Sequence, residues 1–216
     1  MVMTPPLVRP TTRKRAAILA AAEQLFLTHG YLGTSMDELA ELSQVSKQTI
    51  YTNFGSKELL FVELVSSMTV NAGDGIDDLD VETVVDGEVA SYLENYAVNQ
   101  LSIVLTPRLL KLRRLVIGEV GRFPALAQAL YEGGPQRAIR SLSRALESLA
   151  RRELLSLDDA VEAATTFNWL IMGAPVNEAM LLGDAAIPSA EALRAHAGNS
   201  TRVFLAAYGP VARATT

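Results

Sequence analysis

The stretch Thr34-Ser-Met-Asp-Glu-Leu-Ala-Glu-Leu-Ser-Gln-Val-Ser-Lys-Gln-Thr-Ile-Tyr-Thr-Asn-Phe54 constrains this chain more than any other. Ser35 is followed three residues on by Glu38, the spacing of a capping box, so a helix can start there. Leu39 and Leu42 give it an apolar edge, and Ala40 is small enough for a second helix to cross closely. A tight turn falls at Ser43-Gln44-Val45. Ser46 can cap a second helix whose inward residues are Val45, Ile50 and Phe54. Lys47, Gln48, Thr49, Tyr51, Thr52 and Asn53 are left pointing outward. All six form hydrogen bonds and only one is charged.

Such a face suits the major groove of DNA, which the second helix of a helix-turn-helix enters. Gln can read adenine through two hydrogen bonds, Lys can reach guanine or a phosphate, and a Thr methyl can meet thymine. Tyr and Thr hydroxyls can hold phosphates and fix register. A plain helical hairpin with a solvated polar face would show the same pattern.

Residues 13 to 64 resemble the N-terminal domain of the TetR/AcrR family of transcriptional regulators. The resemblance rests on Arg13-Lys14-Arg15-Ala-Ala-Ile-Leu-Ala-Ala-Ala-Glu-Gln-Leu-Phe26, Gly30-Tyr31, Thr34-Ser35, Val45-Ser46, Thr49-Ile50-Tyr51 and Phe54-Gly-Ser-Lys57-Glu-Leu-Leu-Phe61, in order and at the right spacing. It implies DNA contacts by Thr34, Ser35, Ser46, Lys47, Gln48, Thr49, Tyr51, Thr52, Asn53 and Lys57. Two positions depart from the family pattern. Gln44 stands where Gly is usual, so a left-handed turn residue there costs about 1 kcal/mol more. Asn53 stands where His is common, and both can donate to phosphate.

The net charge of −5 looks wrong for a DNA binder. Its distribution removes the objection. Residues 1–70 hold six basic and six acidic residues, and the remainder holds 13 and 18. Arg13-Lys14-Arg15 and the Lys47 to Lys57 stretch are locally basic, and affinity follows local phosphate contacts rather than the chain total. Ser56 and Lys57 open a further helix, where backbone N–H groups and a lysine make a phosphate site.

At 49% hydrophobic and 20% charged, the 216 residues can form a core and one or two domains. Cysteine is absent, which excludes disulfides and thiol chemistry. Two separated histidines, His29 and His196, make no metal site, and no cofactor is expected. Glu23 and Gln24 interrupt the Ala-rich first run, while Ile18, Ala22, Leu25 and Phe26 recur at helical spacing. That is an amphipathic helix ending near Gly30, not a secretory segment. Leu60, Phe61, Leu64, Val65 and Met68 should face it from the fourth helix.

Further on, the apolar run Phe167 to Val176 is too short to span a membrane, and Pro175 should kink its helix. Leu110, Leu112, Leu115, Val116 and Ile117 should turn inward, with Lys111, Arg113 and Arg114 outward. Asp158 and Ser189 should cap the last two long helices. Those helices, 158–182 and 189–208, carry Val161, Ala164, Phe167, Leu170, Ala174, Met180 and Leu181, then Leu193, Val203, Phe204 and Ala207. They can pack in pairs as a four-helix dimer interface. The sequon Asn199-Ser-Thr201 carries no weight without a signal peptide.

Leu112-Arg-Arg-Leu-Val-Ile-Gly-Glu-Val-Gly-Arg-Phe-Pro124, with Tyr131-Glu-Gly-Gly-Pro135, resembles the C-terminal domain of an AefR-like branch of these regulators. The two resemblances imply an all-α protein: an N-terminal three-helix helix-turn-helix domain plus a C-terminal helical ligand-binding and dimerisation domain. The expected divisions are a flexible arm 1–10, the DNA-binding domain 11–56, a connecting helix 57–73, the ligand-binding and dimerisation domain 74–210 and a tail 211–216. Operator DNA, a second copy of the chain and a small-molecule inducer are the expected partners, in the cytoplasm. Tyr96, Leu112, Val116, Glu119, Phe123, Phe167, Asn168 and Met172 are candidate pocket residues for an apolar or amphipathic ligand. The resemblance therefore implies a sequence-specific DNA-binding regulator, with repression released by a small apolar or amphipathic ligand as the expected mode. A helical adaptor for another protein is the alternative. Enzyme activity is unmotivated: there is no phosphate loop, no nucleophile elbow and no close His/carboxylate set.

Overall fold

The computed structural model describes residues 10–73 and 81–210. The arm before Pro10, the Gly/Asp-rich link over 74–80 and the tail from 211 lie outside the described residues. Those described are helical, with no strand among them. The helices are α1 (Pro10–Gly33), α2 (Met36–Ser43), α3 (Lys47–Phe54), α4 (Lys57–Gly73), α5 (Val89–Val104), α6 (Pro107–Glu119), α7 (Pro124–Gly133), α8 (Pro135–Arg151), α9 (Ala160–Leu182) and α10 (Ala190–Tyr208).

Contacts divide the chain into two units. One holds the residues up to Ser67 together with Lys111–Ala129; the other holds Met68–Leu110 and the residues from Leu130 on. The segment 111–129, which the sequence groups with residues 74–210, therefore packs with the N-terminal helices. The cause is aromatic. Gly30, at φ 74°, breaks α1 and is followed by a last turn that carries Tyr31. Only glycine takes that backbone angle without strain. The Tyr31 ring lies 5.9 Å from Phe26, 5.5 Å from Phe61 and 4.5 Å from Phe123, centre to centre. Phe123 thus closes a four-ring cluster with α1 and α4.

In this first unit Ile18, Ala22, Leu25 and Phe26 form the buried stripe of α1, and Leu60, Phe61, Leu64 and Val65 that of α4. Each large side chain so buried contributes about 1.5–3 kcal/mol. Three sequence expectations fail here. Leu42 is exposed, because Leu39 and Met36 already fill the inward face of α2. On α6, Leu112 and Val116 are buried one turn apart, which leaves Ile117 a third of a turn away and exposed. Arg113, expected outward, is half-buried, and burial lowers its pKa from the usual guanidinium range.

The second unit is built on α5, α8, α9 and α10. α9 packs on α8, α10 and α5, and α5 also lies along α10. Leu93, Tyr96, Ala97, Leu101, Leu142, Leu146, Phe167, Ile171 and Phe204 share one core. A 3₁₀ turn, Val81–Thr83, is fastened to α8: Arg152 donates to the carbonyls of Val81 and Val84, and Ser148 donates to Glu82 at 2.8 Å. The cap of α9 is Asp159, one residue later than expected, because its carboxylate accepts from the N–H groups of Val161 (2.7 Å) and Glu162 (3.1 Å). Ser189 caps α10 as expected. α9 continues as helix through Pro175.

The expected interface residues divide into three sets. Ala164, Phe167, Leu193 and Phe204 are consumed by the core of the unit itself, and Leu170 and Met180 are half-buried against it. Val161, Ala174, Leu181, Val203 and Ala207 are exposed, joined by Trp169 and by Leu182, which is 72% exposed. Among the described residues no helix is long and apolar enough to cross a membrane.

Candidate nucleic-acid interface

The two helices α2 and α3 are held at their ends by hydrogen bonds the sequence writes locally. Ser35 Oγ accepts from the Glu38 N–H at 3.1 Å, and Glu38 returns by accepting from the Ser35 N–H at 2.8 Å. The bonds from Ser35 favour the ionised carboxyl, so the Glu38 pKa is lowered from the ordinary value. At the other end of α2, Gln44 sits at φ 55°, ψ 36°, the left-handed conformation that the turn requires. The N–H groups of Gln44 and Val45 then close on the last carbonyls of α2. Ser46 caps α3 through the Thr49 N–H at 3.1 Å. Ile50 and Phe54 anchor α3 in the core.

This leaves Lys47, Gln48, Tyr51 and Thr52 exposed along one side of α3, while Thr49 and Asn53 are half-buried. Their polar groups are not equally available. Thr52 Oγ1 donates to Gln48 O at 2.8 Å, and Asn53 Nδ2 donates to Thr49 O at 2.7 Å. Lys47 Nζ is paired with Asp37 at 3.0 Å. Neither the Gln48 amide nor the Tyr51 hydroxyl carries a hydrogen bond among the described residues, so these two groups can be given whole to another molecule. Thr34, expected at the interface, is withdrawn from it: the residue is 2% exposed and its hydroxyl donates to Gly30 O at 2.9 Å. It fixes the α1–α2 corner and leaves Ser35 exposed.

Lys57 opens α4, with Ser56 Oγ accepting from the Leu59 N–H at 3.0 Å. Its side chain is half-buried rather than solvated, because it lies over the Tyr31 ring. Burial lowers its pKa, opposed by Glu38 and Glu119. Arg13 and Lys14 are exposed at the start of α1, whereas Arg15 is drawn into contacts with α3 and α4. The signal that separates Arg15 is helical spacing: it lies three residues before Ile18 and seven before Ala22, on the buried face of α1.

Four of the pocket candidates fall in each unit. Tyr96, Phe167, Asn168 and Met172 are buried in the second, with the Tyr96 and Phe167 rings 6.3 Å apart. Leu112, Val116, Glu119 and Phe123 belong to the first. Sequence reasoning missed Gln100, which is 2% exposed and donates from Nε2 to Asn168 Oδ1 at 3.0 Å. A lone glutamine on a helix carries no spacing signal. Among the described residues no cluster of three metal-binding side chains occurs.

A capped pair of short helices that presents an exposed polar face on the second has the geometry of a helix-turn-helix. Comparison with known proteins makes this specific. Residues 18–64 match the family model for bacterial regulatory proteins of the tetR family, and residues 91–210 match that of the AefR-like transcriptional repressor C-terminal domain. A structure from Mesorhizobium loti MAFF303099, described as a TetR-family transcriptional regulator, is 34% identical, with 94% of this chain and 100% of that chain covered and a TM-score of 0.87. The flavonoid-responsive regulator FrrA is 32% identical, with 93% and 99% covered and a TM-score of 0.78. YvkB of Bacillus subtilis, an HTH-type transcriptional regulator, is 41% identical over 66 residues, which are 31% of this chain and 33% of YvkB. The chain thus spans about a third of the length of such curated relatives. It belongs to the TetR family and carries an AefR-like C-terminal domain. It is a DNA-binding transcriptional regulator, not an enzyme.

Proposed function

We propose that this regulator is a homodimeric repressor whose hold on operator DNA is released by an apolar or amphipathic small molecule bound in the C-terminal helical unit. The observation that carries the ligand reading is the buried amide pair, Gln100 with Asn168, the largest buried polar side chains among the apolar and aromatic residues of that core. Ligand sites combine an apolar lining with a few placed polar groups. FrrA is flavonoid-responsive and similar over nearly its whole length, so aromatic polyphenols are the first class to test. Repression is supported by the AefR-like repressor domain. Two copies are needed because one recognition helix reads too few bases, and paired helices reach half-sites about 34–36 Å apart. Trp169, Leu181, Leu182 and Val203 supply exposed apolar surface for that pairing.

A ligand releases DNA only if it favours a conformer that binds the operator poorly; equal affinity for both shifts nothing. Anisotropy titrations on the region upstream of the chain's own gene, with and without a panel of aromatic and aliphatic amphiphiles, test this. A loss of operator affinity of tenfold or more with one ligand class is the expected result. An operator affinity indifferent to every member overturns the ligand reading. Lower expression of the regulated gene after deletion of the regulator overturns repression.

A further inference from the structure

We propose that Arg15 is a positioning residue for operator reading, not one of the phosphate contacts that its neighbours Arg13 and Lys14 suggest. One side chain on α1 makes three contacts to two other helices. Nη1 donates to the main-chain carbonyl of Asn53 at 3.0 Å. Nη2 donates to Glu63 of α4. The guanidinium lies over the Phe54 ring, 4.4 Å from its centre. Asn53 and Phe54 are the last two residues of α3.

The chemistry of that place suits an arginine. The last carbonyls of a helix have no partner within the helix and carry partial negative charge. A planar guanidinium can donate in two directions while its face rests on an aromatic ring; an ammonium cannot do all three at once. Glu63 holds the fork in that plane. α3 has only eight residues, too few to be stable or oriented alone. Its N-terminal end is set by the Gln44 turn and the Ser46 cap, and Ile50 fixes its middle. Buried Phe54 and the Arg15 guanidinium over its ring together fix the C-terminal end, beyond Gln48 and Tyr51. Contacts to base edges depend on that placement, whereas phosphate attraction depends mainly on charge.

This inference rests on α3 being the recognition helix, and a wild-type protein with no operator preference would sink that reading separately. Arg15→Lys keeps the charge and could keep a phosphate contact, but it loses the clamp. Glu63→Gln keeps every DNA-facing residue and loosens the clamp from the other side. In titrations on operator and scrambled duplexes at several salt concentrations, with full-length proteins shown folded by circular dichroism, each variant should lower the operator-to-scrambled affinity ratio roughly tenfold, the size of one base contact. Scrambled-DNA affinity and salt slope should stay at the wild-type values. The double variant should lose little more than either single one. A purely stabilising role would leave the ratio in folded protein unchanged. An unchanged ratio in Glu63→Gln overturns the proposal even if Arg15→Lys fails to fold. So does an Arg15→Gln variant that weakens both duplexes equally and lowers the salt slope by about 1 per half-site, for Arg15 would then be a phosphate ligand.

Discussion

The Lys57 ammonium lies 4.4 Å from the centre of the Tyr31 ring. The charge expected to hold a phosphate is therefore parked on an aromatic face and must be shared with it or leave it when DNA binds. Lys57→Ala should weaken operator and scrambled DNA alike and lower the log-log salt slope by about 1 per half-site. It should also cost about 0.5–1 kcal/mol in urea unfolding, the worth of a half-exposed cation–π contact. A solvated lysine would show no such loss.

Gln48 should behave oppositely. Its amide is exposed and carries no hydrogen bond among the described residues, so Gln48→Ala should cost roughly 1–3 kcal/mol on the operator, confined to one base-pair position. The salt slope and the unfolding midpoint should not move. Equal weakening on scrambled duplex would mean that α3 docks differently.

The left-handed Gln44 is a place where the fold tolerates strain. Gln44→Gly should raise stability by up to about 1 kcal/mol, the conformational advantage of glycine there less its greater freedom in the unfolded chain. Urea midpoints of the two proteins decide it. A lower midpoint for Gln44→Gly would show that the side chain contributes more than the strain removes.

The capping box predicts a pH dependence with a definite sign. The folded-state pKa of Glu38 is lowered by its bonds to Ser35, so the unfolded chain binds more protons as acid is added. Its stabilising effect is complete above the ordinary carboxyl value and is lost as pH falls through the lowered one. In an NMR titration the Ser35 and Glu38 amide signals should move together in that acid range. Glu38→Gln should remove the shared transition.

Gln100 and Asn168 should act as one unit. Gln100→Met alone leaves a buried amide without its partner and should cost about 1–3 kcal/mol, as should Asn168→Leu. The double variant should be more stable than either single one. Thermal unfolding of the four proteins gives the coupling. On the ligand reading all three variants lose the inducer response, the double one while fully folded. Phe167→Ala is a poorer probe, because a fully buried phenylalanine costs about 3–5 kcal/mol to remove.

What the sequence made legible is what neighbours in sequence decide. Ser35 with Glu38, Ser46 and Ser189 act within three residues of themselves, and the structure puts all of these caps in place. The αL turn at Gln44 was readable for the same reason. Failures came where a distant surface chooses the face. Leu42 and Ile117 are apolar at helical spacing, yet their helices turn a different edge inward. Thr34 and Arg15 look like interface residues by type, but Gly30, Asn53 and Glu63 claim them first. Gln100 was invisible because its partner lies 68 residues away.

The Phe123 ring on Tyr31 bears on any attempt to treat this regulator as interchangeable parts. The DNA-reading unit is not a contiguous cassette: it includes Lys111–Ala129, encoded far downstream of its helix-turn-helix. A chimera that joins the first four helices to another regulator's remainder inherits whatever residue the donor brings to that ring. The portable piece is discontinuous, and a graft that carries residues 111–129 along with the N-terminal helices keeps the aromatic cluster whole.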